Sequence, residues 1–369
     1  MSSKKKLCIA TGIFPPDKGG PAQFSSAFSS WLSRQGVEST VLSLTDQNSR
    51  QLEDGLVKVD LISRKISTPA RMALSAFHIL KLSSTHKFLI NGLFLEALIA
   101  SIFKRIEYTA KVPGDIVWER ARNKGLTELD IDEFQKSEPR RLALMRWAFT
   151  KSLKGAKKII APSTHLKNLI IAWGVDPSRI VVIPNSVDTD TFRPNPDSKK
   201  MYDFITVCRL VPWKGLVEVI ETCSRNNLSL LIVGSGPQEA ELRALSNKLN
   251  AKVEFAGEVP QSRLPEYLNQ ARFFVLNSSY EGSPHSLIEA MSCALPVIAR
   301  ENTGTSELVS SGKNGLLVGK SRSLEDAFKL VLGNEIDAKS LSKAAREEIL
   351  NYYSRDKIFG EIVDLVGAR

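Results

Sequence analysis

Glu281 and Glu289 flank the run Gly282-Ser283-Pro284-His285-Ser286-Leu287-Ile288, eight positions apart. A plainly solvated helix face would need neither the Gly nor the Pro. The run follows "RFFVLNSSY", which reads as a strand, and Pro284 suits a first helical turn with Ser283 as its cap. The backbone from Gly282 to Ser286 then offers N–H groups to an anion, with Leu287 one step further in. Glu281 lies in the loop beside whatever is bound. Glu289 lies one and a half turns deeper, where an ionised carboxylate accepts hydrogen bonds from vicinal hydroxyls such as those of a ribose.

Basic residues suited to a diphosphate lie earlier. "CRLVPWKGL" places Arg209 at a strand end and Lys214 five residues later at a helix start. Arg can bind a diphosphate in bidentate fashion and Lys as a point charge. "FPPDKGGPAQF" sets Gly19 and Gly20 after the first strand, ahead of Pro21. Glycines allow close backbone approach, and the helix start adds partial positive charge. Asp115, after the strand end in "KVPGD", stands where doubly wound folds place ligands; a helix cap is its plainer role.

Other motifs fail. "GSGPQE" lacks the third glycine of a dinucleotide fingerprint, and "NGLLVGKS" has Asn314 where a phosphate loop requires Gly. Asp188 and Asp190 in "DTD" read as a turn more readily than as a metal site. The four histidines have no ligand spacing, and no metal or cofactor is expected.

These residues need strand ends and helix starts to hold them. Short β-rich runs alternate with helix-period segments along the chain, the pattern of parallel sheets joined by right-handed crossovers. The 369 residues, 43% hydrophobic and 24% charged, suit two cores. The expected α/β architecture is two doubly wound Rossmann-like domains facing a central cleft. Residues 1–187 are expected to form the first domain, 188–200 a linker, and 201–350 the second domain. Residues 351–369 form a helix packing back toward the first domain. The longest apolar stretch, "FLINGLFLEALIASIF", is interrupted by Asn91, Gly92 and Glu96 and falls short of a membrane span. The net charge of +10 resides in residues 1–190, which hold 28 Lys/Arg and 18 Asp/Glu, against 22 of each in the remainder. A basic half suggests an anionic partner; a solvated surface is the bland alternative.

In these residues the chain resembles the retaining glycosyltransferases of family four, of the GT-B type. "FPPDKGG", "VIPNSVDTDTF", "CRLVPWKG", "VGSGP", "EGSPHSLIEAMSCALPVIA" and "NGLLV" follow the family order. The resemblance implies a metal-independent hexosyltransferase that uses a nucleotide-diphosphate sugar. Arg209 and Lys214 would hold the diphosphate, Glu289 the ribose, and Glu281 with the amides from Gly282 to Ser286 the sugar and phosphate. Backbone near Val259 would meet the base, and Gly20 would let the first domain approach the phosphates. Where many members carry a His near residue 112, this chain has "KVPGDIVWERAR", with Asp115 as the nearest polar candidate. The implied role is cell-surface polysaccharide, lipopolysaccharide or glycolipid synthesis in the cytoplasm. An anionic or lipid-linked acceptor and reversible contact with the inner membrane face are expected. A sugar-nucleotide epimerase of the same architecture is the alternative. A glycoside hydrolase would have no diphosphate to neutralise, and no motif supports nucleic-acid binding.

Overall fold

The computed structural model describes residues 6–17, 19–333 and 335–368. They form two compact units, one of residues 1–183 with 359–369, the other of residues 184–358.

In chain order the first unit holds β1 (Lys6–Thr11), α1 (Gly20–Arg34), β2 (Ser39–Thr45), β3 (Arg50–Asp54) and β4 (Val57–Ser63). There follow α2 (Thr68–Leu82), β5 (His86–Asn91), α3 (Phe94–Phe103), β6 (Tyr108–Lys111), α4 (Ile116–Asn123) and α5 (Ile131–Lys136). The unit continues with α6 (Ala143–Gly155), β7 (Lys158–Ala161), α7 (Thr164–Ala172) and β8 (Ile180–Val182). Its sheet order is β3-β4-β2-β1-β5-β6-β7-β8, parallel except for the β3–β4 pair. Leu7, Cys8, Ile9 and Ala10 of β1 are all buried, as expected of a central strand covered on both faces. The antiparallel hairpin β3–β4 adds one edge strand to the otherwise parallel sheet. "RQLED" is exposed throughout, so its sequence carries no apolar alternation to signal it.

The second unit holds β9 (Tyr202–Val207), α8 (Leu216–Arg225), β10 (Leu230–Val233), α9 (Glu239–Lys248), β11 (Val253–Gly257) and α10 (Leu264–Asn269). After them come β12 (Ala271–Leu276), α11 (His285–Ser292), β13 (Val297–Arg300), α12 (Thr303–Ser306), β14 (Leu316–Val318), α13 (Leu324–Leu332) and α14 (Ala338–Tyr352). Its sheet is fully parallel in the order β11-β10-β9-β12-β13-β14. Successive residues feed opposite cores, as strand pleating requires: Phe204 packs with Phe273 and Phe328, and Ile205 with Phe274 and Met291.

Helix α15 (Arg355–Val366) spans the boundary. From Phe359 on it belongs to the first unit, where the Phe359 ring lies 5.0 Å from Phe28 and 5.8 Å from Trp31 of α1. The expected boundary at 187 falls instead at 183. The stretch 188–200 is part of the second unit rather than a free linker. Phe192 is buried there, and the Asn195 N–H donates to Asn269 Oδ1 at 2.8 Å.

In both sheets the strand order reverses direction, between β1 and β5 in one and between β9 and β12 in the other. The carboxyl ends of strands at such switch points are where doubly wound folds bind ligands.

Candidate active site

The switch point of the second unit carries most of the predicted residues. Beyond β9 the chain runs against the turn after β10: Cys208 N donates to Val233 O at 3.1 Å and Leu210 N to Ser235 O at 2.9 Å. This close approach explains "VGSG". A Cβ on Gly234 would lie 2.0 Å from Cys208 O, and one on Gly236 2.3 Å from Leu210 O. Arg209 emerges there exposed to solvent. After a short 3-10 turn, Gly215 takes a left-handed conformation (φ 63°), where a Cβ would lie 2.5 Å from Asn277 O. That contact brings Lys214 to the end of β12, where its Nζ lies 2.5 Å from Glu281 Oε1, with both side chains largely buried.

The loop carrying Glu281 is held from two sides. Asn277 Nδ2 donates to Gly215 O at 2.9 Å and accepts, through Oδ1, from Arg300 Nε at 2.9 Å. From the other side Asn302 Nδ2 donates to Ser278 O at 2.9 Å, and Asn302 forms a capping box with Thr305 at the start of α12. Gly304 makes this approach possible, since a Cβ there would lie 2.2 Å from Glu281 O. A carboxylate and an ammonium held this way are positioned before any ligand arrives.

The start of α11 differs from expectation. Pro284, not Ser283, is the N-cap, and no side chain caps the helix. Ser283 is diverted by Asn185, whose backbone N–H donates to Ser283 Oγ at 3.4 Å and whose Nδ2 donates to Ser283 O at 2.9 Å. The first turn, with His285, Ser286 and Leu287, therefore begins without a side-chain acceptor, next to Gly282 and Glu281. One turn deeper, Glu289 is buried and accepts from Gln261 Nε2 at 2.5 Å. Burial pushes its carboxyl up to about 7; the Gln261 amide and the Arg355 charge pull it down only in part. Val259, two residues before Gln261, packs on the same core. Asn185 and Gln261 were missed by sequence reasoning. Each is a polar residue in a loop whose partner lies 98 or 28 positions away.

In the first unit, Gly19 has φ 139°, and α1 starts at Gly20 with Pro21 in its first turn, no side-chain cap and no acidic residue there. Asp115 corrects an expectation. It is 0% exposed and caps α4 through Val117 N at 3.0 Å and Trp118 N at 3.3 Å. Its other oxygen accepts from Gln135 Nε2 at 2.8 Å and Arg146 Nη2 at 2.6 Å. With both oxygens used, it is a cap and buried ion-pair partner rather than an acceptor-facing group. Asp188 likewise closes a turn: Oδ1 accepts from Asp190 N and Thr191 N, both at 3.2 Å, and Oδ2 pairs with Arg355 at 2.7 Å. Among the described residues no group of three or more His, Cys, Asp or Glu could hold a metal ion.

Residues 188–348 match the family model for glycosyl transferases group 1, and residues 128–191 match that for Glycosyltransferase Family 4. The putative colanic acid biosynthesis glycosyltransferase WcaL of Escherichia coli K12 is 30% identical over 213 residues, 53% of this chain and 52% of its own length. This chain thus spans about half the length of the curated relatives it matches. Among solved structures, sucrose-phosphate synthase of Thermosynechococcus elongatus superimposes with a TM-score of 0.79 at 18% identity, over 98% of each chain. Anabaena HepE in complex with UDP does so with a TM-score of 0.76 at 16% identity, over 99% of this chain and 100% of that one. Identities this low establish the shared fold.

Proposed function

We propose, for a chain that belongs to the glycosyltransferases of family four, the transfer of a hexose from a nucleotide diphosphate to an acceptor hydroxyl with retained anomeric configuration. The observation that carries the reading is the Lys214–Glu281 pair, held beside the uncapped start of α11 and the exposed Arg209. In the reaction the bond from the sugar's anomeric carbon to phosphate breaks and its electron pair goes to the diphosphate. The acceptor oxygen bonds to the same face of that carbon, and its proton passes to the leaving phosphate oxygen. Negative charge develops on the diphosphate, where Arg209, Lys214 and the α11 amides stabilise it. Glu281 orients Lys214 and borders the sugar, while Glu289 exchanges its bond from Gln261 for ribose hydroxyls. The UDP in HepE supports a nucleotide donor.

The acceptor is assigned to the basic first unit, as an anionic or lipid-linked glycan at the inner membrane face, in cell-surface polysaccharide or glycolipid synthesis. No described helix is long and apolar enough to cross a membrane. On α6, however, Leu144 is 75% and Trp147 61% exposed. Arg140, Arg141, Lys151 and Lys154 accompany them, with no acidic residue on the helix. An apolar stripe flanked by cations suits reversible attachment to anionic lipid.

A panel of nucleotide hexoses incubated with the protein in excess chelator tests the reaction. One nucleotide class should release free nucleotide diphosphate, faster when acceptor glycan is added. Release only with added Mg²⁺ or Mn²⁺ would contradict metal independence.

A further inference from the structure

The first unit has a polar pair at its own switch point that the reading above does not use. Lys111 and Asn91 are the last residues of β6 and β5, next in register after the pair Ala110–Ile90. Both turn toward α1. Asn91 Nδ2 donates to Pro21 O at 3.4 Å and to Ser25 Oγ at 3.3 Å, while Lys111 Nζ lies 4.5 Å from the centre of the Phe24 ring.

Lys111 is only 4% exposed, and among the described residues the Phe24 ring is the sole partner of its ammonium. Asn91 Oδ1 is buried and accepts no hydrogen bond. A largely buried lysine without a counter-ion and a buried carbonyl without a donor are each costly. Burial accordingly pulls Lys111 down to about 8. At the start of α1, Pro21 has no N–H and the Ala22 and Gln23 N–H groups donate to Gly19 O, so the turn adds only the Gly20 N–H to this corner.

We propose that Lys111 and Asn91 form a subsite for a phosphate group, Lys111 Nζ donating to a phosphate oxygen and Asn91 Oδ1 accepting from a P–OH or adjacent sugar hydroxyl. The pair matches that ligand because it presents one cationic donor and one neutral acceptor. A carboxylate would leave Oδ1 unpaired. The subsite is distinct from the Arg209–Lys214 cluster and does not depend on the transfer reaction.

Inorganic phosphate is the probe, read by thermal unfolding and titration calorimetry of the full chain in chloride buffer of matched ionic strength. Phosphate should raise the melting temperature of the wild type, and saturating UDP should leave that response in place. Lys111→Met, which removes an uncompensated buried charge at similar volume, should melt no lower than wild type without phosphate and bind phosphate at least tenfold more weakly. Arg209→Ala should keep the response. Should Lys111→Met not fold, Asn91→Asp serves instead: an internal carboxylate beside Lys111 should abolish the phosphate response. Wild-type phosphate affinity in either variant, a response absent from the wild type, or one erased by UDP would overturn the assignment.

Discussion

Glu289 shows how one residue ties stability to function. Its carboxyl titrates near 7 in the fold against an ordinary 4.5, because it is buried. Between those values the folded state holds more protons than the unfolded chain, so stability should fall as pH rises from 4.5 toward 7. The span corresponds to on the order of 3 kcal/mol. Glu289→Gln should flatten this slope and melt higher than wild type at pH 8, yet bind nucleotide diphosphate several-fold more weakly, since a neutral amide accepts less strongly. Melting curves at pH 5 and 8 with nucleotide titrations check both halves. Glu281→Gln should behave differently, leaving nucleotide affinity within a few-fold while lowering turnover at least tenfold, because its carboxylate orients Lys214.

At the scale of elements, the site depends on loops pressed together where a side chain would not fit. Gly304→Ala puts a Cβ 2.2 Å from Glu281 O and must push the Glu281 loop away from α12. It should lower the melting temperature by several degrees and reduce turnover together. An intact rate would show that the clamp is not needed. Local signals of this kind were legible before the structure. The glycine of "EGSP", the alternation of strands and helices, and the placing of Lys214 and Glu281 beside helix starts, with Glu289 deeper in a helix, follow from short-range chemistry. Less legible were choices settled by distant partners. Asp115 reads as ligand-facing because it follows a strand end, yet Gln135 and Arg146, 20 and 31 positions away, take its second oxygen. Ser283 had every local feature of a cap, and Asn185 diverts it. The edge strand β3 is exposed throughout and so lacks the apolar period that strands are recognised by, whereas its partner β4 alternates Val57, Val59 and Leu61 with Lys58 and Asp60.

Across the described residues, the excess positive charge and most of the exposed large apolar side chains lie in the first half of the chain. Near an anionic bilayer each Lys or Arg contributes on the order of 1 kcal/mol, so the excess there supports reversible, salt-sensitive attachment. The protein should co-sediment with phosphatidylglycerol vesicles and not with phosphatidylcholine vesicles, and high salt should release it. Leu144→Ser with Trp147→Ser should weaken that binding without changing nucleotide affinity. Failure to bind either vesicle would favour a soluble acceptor. The central claim is that Arg209 and Lys214 stabilise a departing nucleotide diphosphate. The most direct test is the rate of nucleotide diphosphate release from the preferred nucleotide hexose, compared among wild type, Arg209→Ala and Lys214→Ala at matched folded concentration. Each variant should be at least tenfold slower, about 1.4 kcal/mol of lost transition-state stabilisation. Wild-type rates in both folded variants would contradict the account.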